Sequence, residues 1–184
     1  QMTWGSDIKR QDDSFGALGT VLIISFLLIY LIMVALYDSF VYPFVVLFSI
    51  PVAIIGAFLA LNLSLSHLSL FALLGLIMLM GLVVKNAILI VDFTNQLKAE
   101  GKYFKEALII AGKERLRPIL MTTLAMVFGM LPIALATGTA AEWKNGLAWV
   151  IIGGLLSSLI LTVFLVPVVY YLVDTVKEKI ASRK

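Results

Sequence analysis

Residues 70–92, LFALLGLIMLMGLVVKNAILIVD, form an apolar run long enough to cross a bilayer, and they carry Lys85 and Asn86 inside it. About 20 helical residues at a rise of 1.5 Å cover the roughly 30 Å hydrocarbon core. A fixed ammonium at that depth costs about 2.5–3.5 kcal/mol on insertion scales, so such a lysine normally faces protein and meets a partner there. The 61% hydrophobic and 14% charged composition points the same way, because soluble domains hold about half apolar and a quarter charged residues. The fold class expected is an all-α polytopic membrane protein.

Five runs have the length of a span. Phe15 to Tyr37 contains no charge and ends at the polar break Tyr37-Asp38-Ser39. The second, about 43–61, starts near Pro43 and contains Pro51 and Gly56, so a kink is expected near Pro51 with neighbours satisfying the freed carbonyl. A polar turn, Asn62 to His67, leads to the lysine span, about 68–91. The fourth, about 118–136, opens at Pro118, and the fifth covers about 146–173. Gly81, Gly129, Gly153 and Ser157 are candidate helix-packing positions, small residues that allow backbones to approach.

Three segments lie outside the spans. Residues 1–14 are polar and read as a periplasmic lead-in from an upstream domain, so the chain is expected to be part of something longer. The connector 92–117 is charged, yet Phe104, Ala107, Leu108 and Ala111 recur at helical spacing, predicting a short amphipathic helix at the cytoplasmic membrane surface. The tail 175–184 is basic. Connector and tail hold six and four basic residues against Lys9, Arg10 and Lys144 opposite, so the positive-inside rule places the C-terminus in the cytoplasm and the N-terminus in the periplasm.

Several chemistries are excluded. There is no cysteine, and His67 is the single histidine, so neither disulfides nor thiolate or multi-histidine metal sites can form. His67, at a membrane boundary, reads as a solvated or capping side chain rather than a proton carrier. No basic tract with interleaved aromatics suggests nucleic acid. An intramembrane enzyme lacks a paired carboxylate or activated nucleophile within the spans.

The partner of Lys85 is the central question. Met78, Gly81, Ile88, Leu89 and Asp92 share its helical face. Asp92 lies about 10 Å along the axis, too far for a direct bond unless the lysine stretches. One reading is that Lys85 snorkels to the cytoplasmic surface. The other is a buried ion pair, whose carboxylate must come from another polypeptide segment, because no Asp or Glu falls inside any span. Thr122, Thr123 and Asn86 offer neutral hydrogen-bonding groups, and Arg115 sits seven residues before Thr122, on the same face if the helix continues through Pro118. A buried ammonium whose counter-carboxylates gain and lose protons must rearrange each time, which can drive helix movement without a covalent step.

The motif Gly81-Leu82-Val83-Val84-Lys85-Asn86-Ala87-Ile88-Leu89-Ile90-Val91-Asp92-Phe93, with Arg115-Leu116-Arg117-Pro118-Ile119-Leu120-Met121-Thr122-Thr123, resembles the resistance-nodulation-division (RND) efflux transporters of the hydrophobe/amphiphile branch. Ala35 to Phe40, Pro51 to Gly56 and Phe164 to Pro167 are similar to that family too, so the likeness covers essentially the whole chain. It implies the last five helices of a twelve-helix inner-membrane pump that works as a homotrimer with a periplasmic adaptor and an outer-membrane channel. It implies proton antiport with no cofactor, driven by the proton gradient. Lys85 would pair with two aspartates from the other half, and Thr122 and Arg115 would belong to the same proton relay, with Asn86 beside them. The lysine is atypical of the heavy-metal branch, so the resemblance favours drugs or other amphiphiles as cargo. The chain itself holds neither the aspartate pair nor large periplasmic loops. The alternatives are a proton-driven protein-export accessory factor of the same superfamily and a membrane scaffold in which Lys85 only snorkels.

Overall fold

The computed structural model describes residues 2–37, 43, 46–138, 141, 143–160, 168 and 171, with side chains from residue 9 onward. Among these residues the regular structure is entirely helical. The helices are α1 (Met2–Tyr37), α2 (Ser49–Leu63), α3 (Leu70–Ala99), α4 (Phe104–Ala134) and α5 (Trp143–Ile160). Four of them, α1, α3, α4 and α5, contain stretches long and apolar enough to cross a membrane, while α2 is shorter. The break at 38–42, most of 161–173 and the basic tail 175–184 lie outside the described residues.

α3 is the hub of the bundle, with α1, α2 and α4 all packed against it. One apolar cluster joins Met33, Val46, Ile50, Val84, Ala87, Ile90, Val91 and Ile119. A second joins Ala53, Ala57, Leu76, Leu79, Val83, Val127, Ile151 and Leu155. α1 is anchored where the Tyr37 hydroxyl donates to the Ile88 carbonyl of α3 at 3.3 Å. Its polar start is helical as well: α1 runs 36 residues, about 54 Å at 1.5 Å each, well beyond the hydrocarbon core.

Phe48 precedes α2 with α-helical dihedrals (φ −62°, ψ −19°), and α2 starts at Ser49. Pro51 then sits in the first turn of α2, where its missing N–H costs no ladder bond within that helix. The Ser49 hydroxyl donates to the Val46 carbonyl at 2.6 Å.

The amphipathic segment of the connector and the span that follows it form one continuous helix. α3 runs on to Ala99, and α4 runs from Phe104 to Ala134 with both Pro118 and Pro132 inside it. The amphipathic segment is the first part of α4, and its apolar face is used against α3: Ala107 and Ala111 are buried with Leu97. Packing that face against protein satisfies the same apolar stripe that a membrane surface would have covered. The turn is closed by Gly101 at φ +89°, with Gly101 N–H on the Lys98 carbonyl at 3.0 Å and Lys102 N–H on the Leu97 carbonyl at 3.2 Å. This is the paired-bond ending that needs a left-handed residue, which glycine adopts without a Cβ penalty. Lys98 Nζ lies 4.6 Å from the centre of the Phe104 ring, and that ring stacks on Tyr171 at 6.2 Å.

At the other end, the α2–α3 turn holds Leu65 at φ +52°. α3 is capped by Ser69, whose hydroxyl accepts from Ala72 N–H at 3.2 Å, so the cap falls outside the 62–67 stretch. His67 is exposed and lines a shallow cleft with Gln11, Trp143 and Asn145.

Candidate functional site

α3 is buried on most of its circumference and open along one stripe. With about 100° per residue, Leu74, Met78, Gly81, Lys85, Asp92 and Gln96 fall on one line, and each of them is exposed. Lys85 is at the middle of that stripe. It has no acidic partner among the described residues. Asp92, two turns further on, accepts a hydrogen bond from the Gln96 amide at 2.9 Å. A methyl group at Gly81, one turn before the lysine, would meet nothing within 4 Å.

Asn86 takes the opposite direction. Its side chain is 2% exposed, and neither amide atom has a hydrogen-bond partner among the described residues. The four relay candidates are therefore split, with Lys85 on the open stripe and Asn86 inside the packed side.

α4 repeats the pattern. Thr122 is exposed, and its hydroxyl donates to its own helix at the Pro118 and Ile119 carbonyls, 3.1 Å each. Such local back-bonding is the usual resting state of a threonine in an apolar helix. Thr123, the next residue, is fully buried with an unpaired hydroxyl among the described residues. Arg115 lies half-buried with its guanidinium 4.4 Å from the centre of the Phe93 ring of α3. Its Nε is buried without a hydrogen-bond partner among the described residues. The helix does continue through Pro118, so Arg115 and Thr122 occupy one line of α4.

The family model described as "AcrB/AcrD/AcrF family" matches residues 1–174. The chain belongs to the AcrB/AcrD/AcrF family.

Within that family it is 43% identical over 157 residues to the multidrug resistance protein MdtC of Proteus mirabilis (strain HI4320), covering 85% of this chain and 15% of MdtC. It is 40% identical over 168 residues to the swarming motility protein SwrC of Bacillus subtilis (strain 168), covering 91% of this chain and 16% of SwrC. Its structure matches the crystal structure of a heavy metal efflux pump (crystal form II) with a TM-score of 0.82 and 31% identity, over 91% of this chain and 17% of the pump. The chain thus spans about one sixth of the length of these relatives.

For an AcrB/AcrD/AcrF-type bundle the helix-packing candidates divide sharply. Gly153 and Ser157 of α5 sit against α2: a methyl at Gly153 would overlap Ala60 and the Gly56 carbonyl, and one at Gly56 would overlap Ser157. Gly154 faces Leu79 of α3, and Gly75 of α3 lies against Leu147 and Val150 of α5. By contrast, a methyl at Gly81 or Gly129 would touch nothing. Phe93 as the seat of Arg115, and Gly56 as a crossing point, were not read as site residues from the sequence. An aromatic in an apolar helix has no one-dimensional mark that distinguishes a cation seat from core.

Proposed function

We propose that this chain is the C-terminal transmembrane part of a proton-driven RND efflux pump of the bacterial inner membrane, in which Lys85 is the cation of the proton relay. The observation that carries the reading is the position of Lys85 at the centre of the one open stripe of α3, with no acidic partner among the described residues. An ammonium in that place needs an anionic partner, and a carboxylate-bearing segment of the remaining transporter supplies it. Gly81, open one turn away, lets such a segment approach the α3 backbone closely.

Thr122 and Arg115 support the relay from α4. A carboxylate that loses its proton recruits the lysine, and one that gains a proton releases it. The threonine hydroxyl, held on its own helix at rest, is the neutral group that can exchange its bond for the released side chain. The N-terminus lies on the periplasmic side and the C-terminus in the cytoplasm. The pump acts as a homotrimer with a periplasmic adaptor and an outer-membrane channel, and it needs no cofactor beyond the proton gradient.

Drugs or other amphiphiles are the proposed cargo, following the multidrug resistance protein MdtC. The likeness to a heavy metal efflux pump favours metal ions as a second reading. Substitution of Lys85 by alanine in the complete transporter is expected to abolish proton-coupled efflux of amphiphiles while the protein still assembles. Full drug efflux by Lys85→Ala would overturn the assignment, and efflux of metal ions alone by the native pump would select the second reading.

A further inference from the structure

Asn86 and Thr123 are 2% and 0% exposed, and neither side chain has a hydrogen-bond partner among the described residues. The α3–α4 hairpin brings them to one level. Leu97 packs with Ala107 and Ala111, and Phe93 meets Arg115. Ile90 shares a cluster with Ile119, and Val83 shares one with Val127. Descending α3 and ascending α4 in these steps sets Asn86, between Ile90 and Val83, opposite Thr123, between Ile119 and Val127. Two buried groups without partners therefore occur at the same depth of one interface.

Their chain neighbours point elsewhere. Lys85 and Thr122 are both exposed. In two antiparallel right-handed helices, residues one position before a facing pair emerge on the same side of that pair, because the helices turn oppositely when viewed from one end. An inward Asn86 opposite an inward Thr123 thus sets Lys85 and Thr122 on a common outer face.

We propose that Asn86 and Thr123 form a polar joint, closed by a buried water, that fixes the depth and rotation of α3 against α4 and so holds Lys85 in register with Thr122. The amide offers two donors and an acceptor, and the hydroxyl offers one donor and two acceptor positions. A water between them completes the set that neither side chain finds among the described residues, as buried waters do with about three bonds each. A slip of one residue along either helix would bury the amide or hydroxyl against hydrocarbon unpaired, and the penalty for that makes the register definite. Asn86 and Thr123 are positioning residues, acting through Lys85 and Thr122. The inference rests on the proposed relay role of Lys85.

The test uses the complete transporter in proteoliposomes, with Asn86→Leu, Thr123→Val, the double variant, Thr123→Ser and Lys85→Ala, assayed for proton-coupled efflux across a pH series. Each single apolar variant is expected to lower turnover about tenfold at unchanged KM and to displace the pH profile, and the double variant to be no worse than the poorer single, as for groups acting as a unit. Thr123→Ser, which keeps the hydroxyl, retains the native profile. If Asn86→Leu does not fold, Thr123→Val and Thr123→Ser carry the comparison alone. Native turnover and pH profile in Thr123→Val, with Lys85→Ala inactive, would overturn the joint while leaving the relay standing. An active Lys85→Ala would overturn the relay itself.

Discussion

Gly153 and Gly81 look alike in one dimension: each is a glycine in an apolar helix, one turn before a polar residue, Ser157 in one case and Lys85 in the other. In the bundle they are opposites. Gly153 lies in the α2–α5 crossing, closed by Ala60 and the Gly56 backbone, whereas Gly81 faces open space on the stripe that carries Lys85. The first region is a finished contact of small residues, in which van der Waals packing between close backbones is the main attraction. The second is an apolar surface with one charge at its centre and nothing in the described residues to meet it. The difference teaches that absence of a side chain has two settings among the described residues: at Gly153 it lets α2 and α5 close on each other, and at Gly81 it leaves the α3 backbone open.

This contrast can be broken at its closed end first. Gly153→Leu is expected to cost about 3 kcal/mol or more, since the added atoms meet backbone as well as the Ala60 side chain and the crossing cannot open cheaply. Thermal melting of the purified transporter checks it, and a native melting temperature would show that α2 and α5 do not cross at this point. Gly81→Leu is expected to leave melting of the five-helix part nearly unchanged but to lower efflux about tenfold, by keeping a partner helix from approaching. Loss of neither stability nor efflux would mean that the stripe faces lipid. The smallest effect concerns the edge between the two regions. Arg115→Gln and Phe93→Leu are each expected to lose the cation–ring contact, worth about 0.5–2 kcal/mol, and a double-mutant cycle on stability should return a coupling of that size. Strict additivity would place the guanidinium away from the ring.

How much of this was legible in the sequence follows from what periodicity can and cannot report. Phe15 to Tyr37 and the lysine helix were legible because their length and apolarity match the bilayer, a condition that a sequence meets or fails by itself. The extent of α3 and α4 beyond the membrane was not. Leu97, Ala107 and Ala111 mark an apolar stripe but not what covers it, and the structure pairs them with each other. Pro118 suggested a helix start because proline is tolerated there, yet α4 runs through it. Among the candidate site residues, Lys85 was conspicuous by charge alone. Its isolation from any carboxylate in the spans could be counted from the sequence, but the outward direction of Lys85 and Thr122 and the inward direction of Asn86 and Thr123 could not.

The sequence by itself determined that this chain belongs in a bilayer and that its apolar spans carry one lysine and no Asp or Glu, because charge and length are properties of the covalent chain. Only the tertiary structure decided which side of α3 is spent on packing and which is left open. That choice depends on where α1, α2, α4 and α5 lie around it, and adjacent residues 100° apart on one helix then meet either protein or empty space.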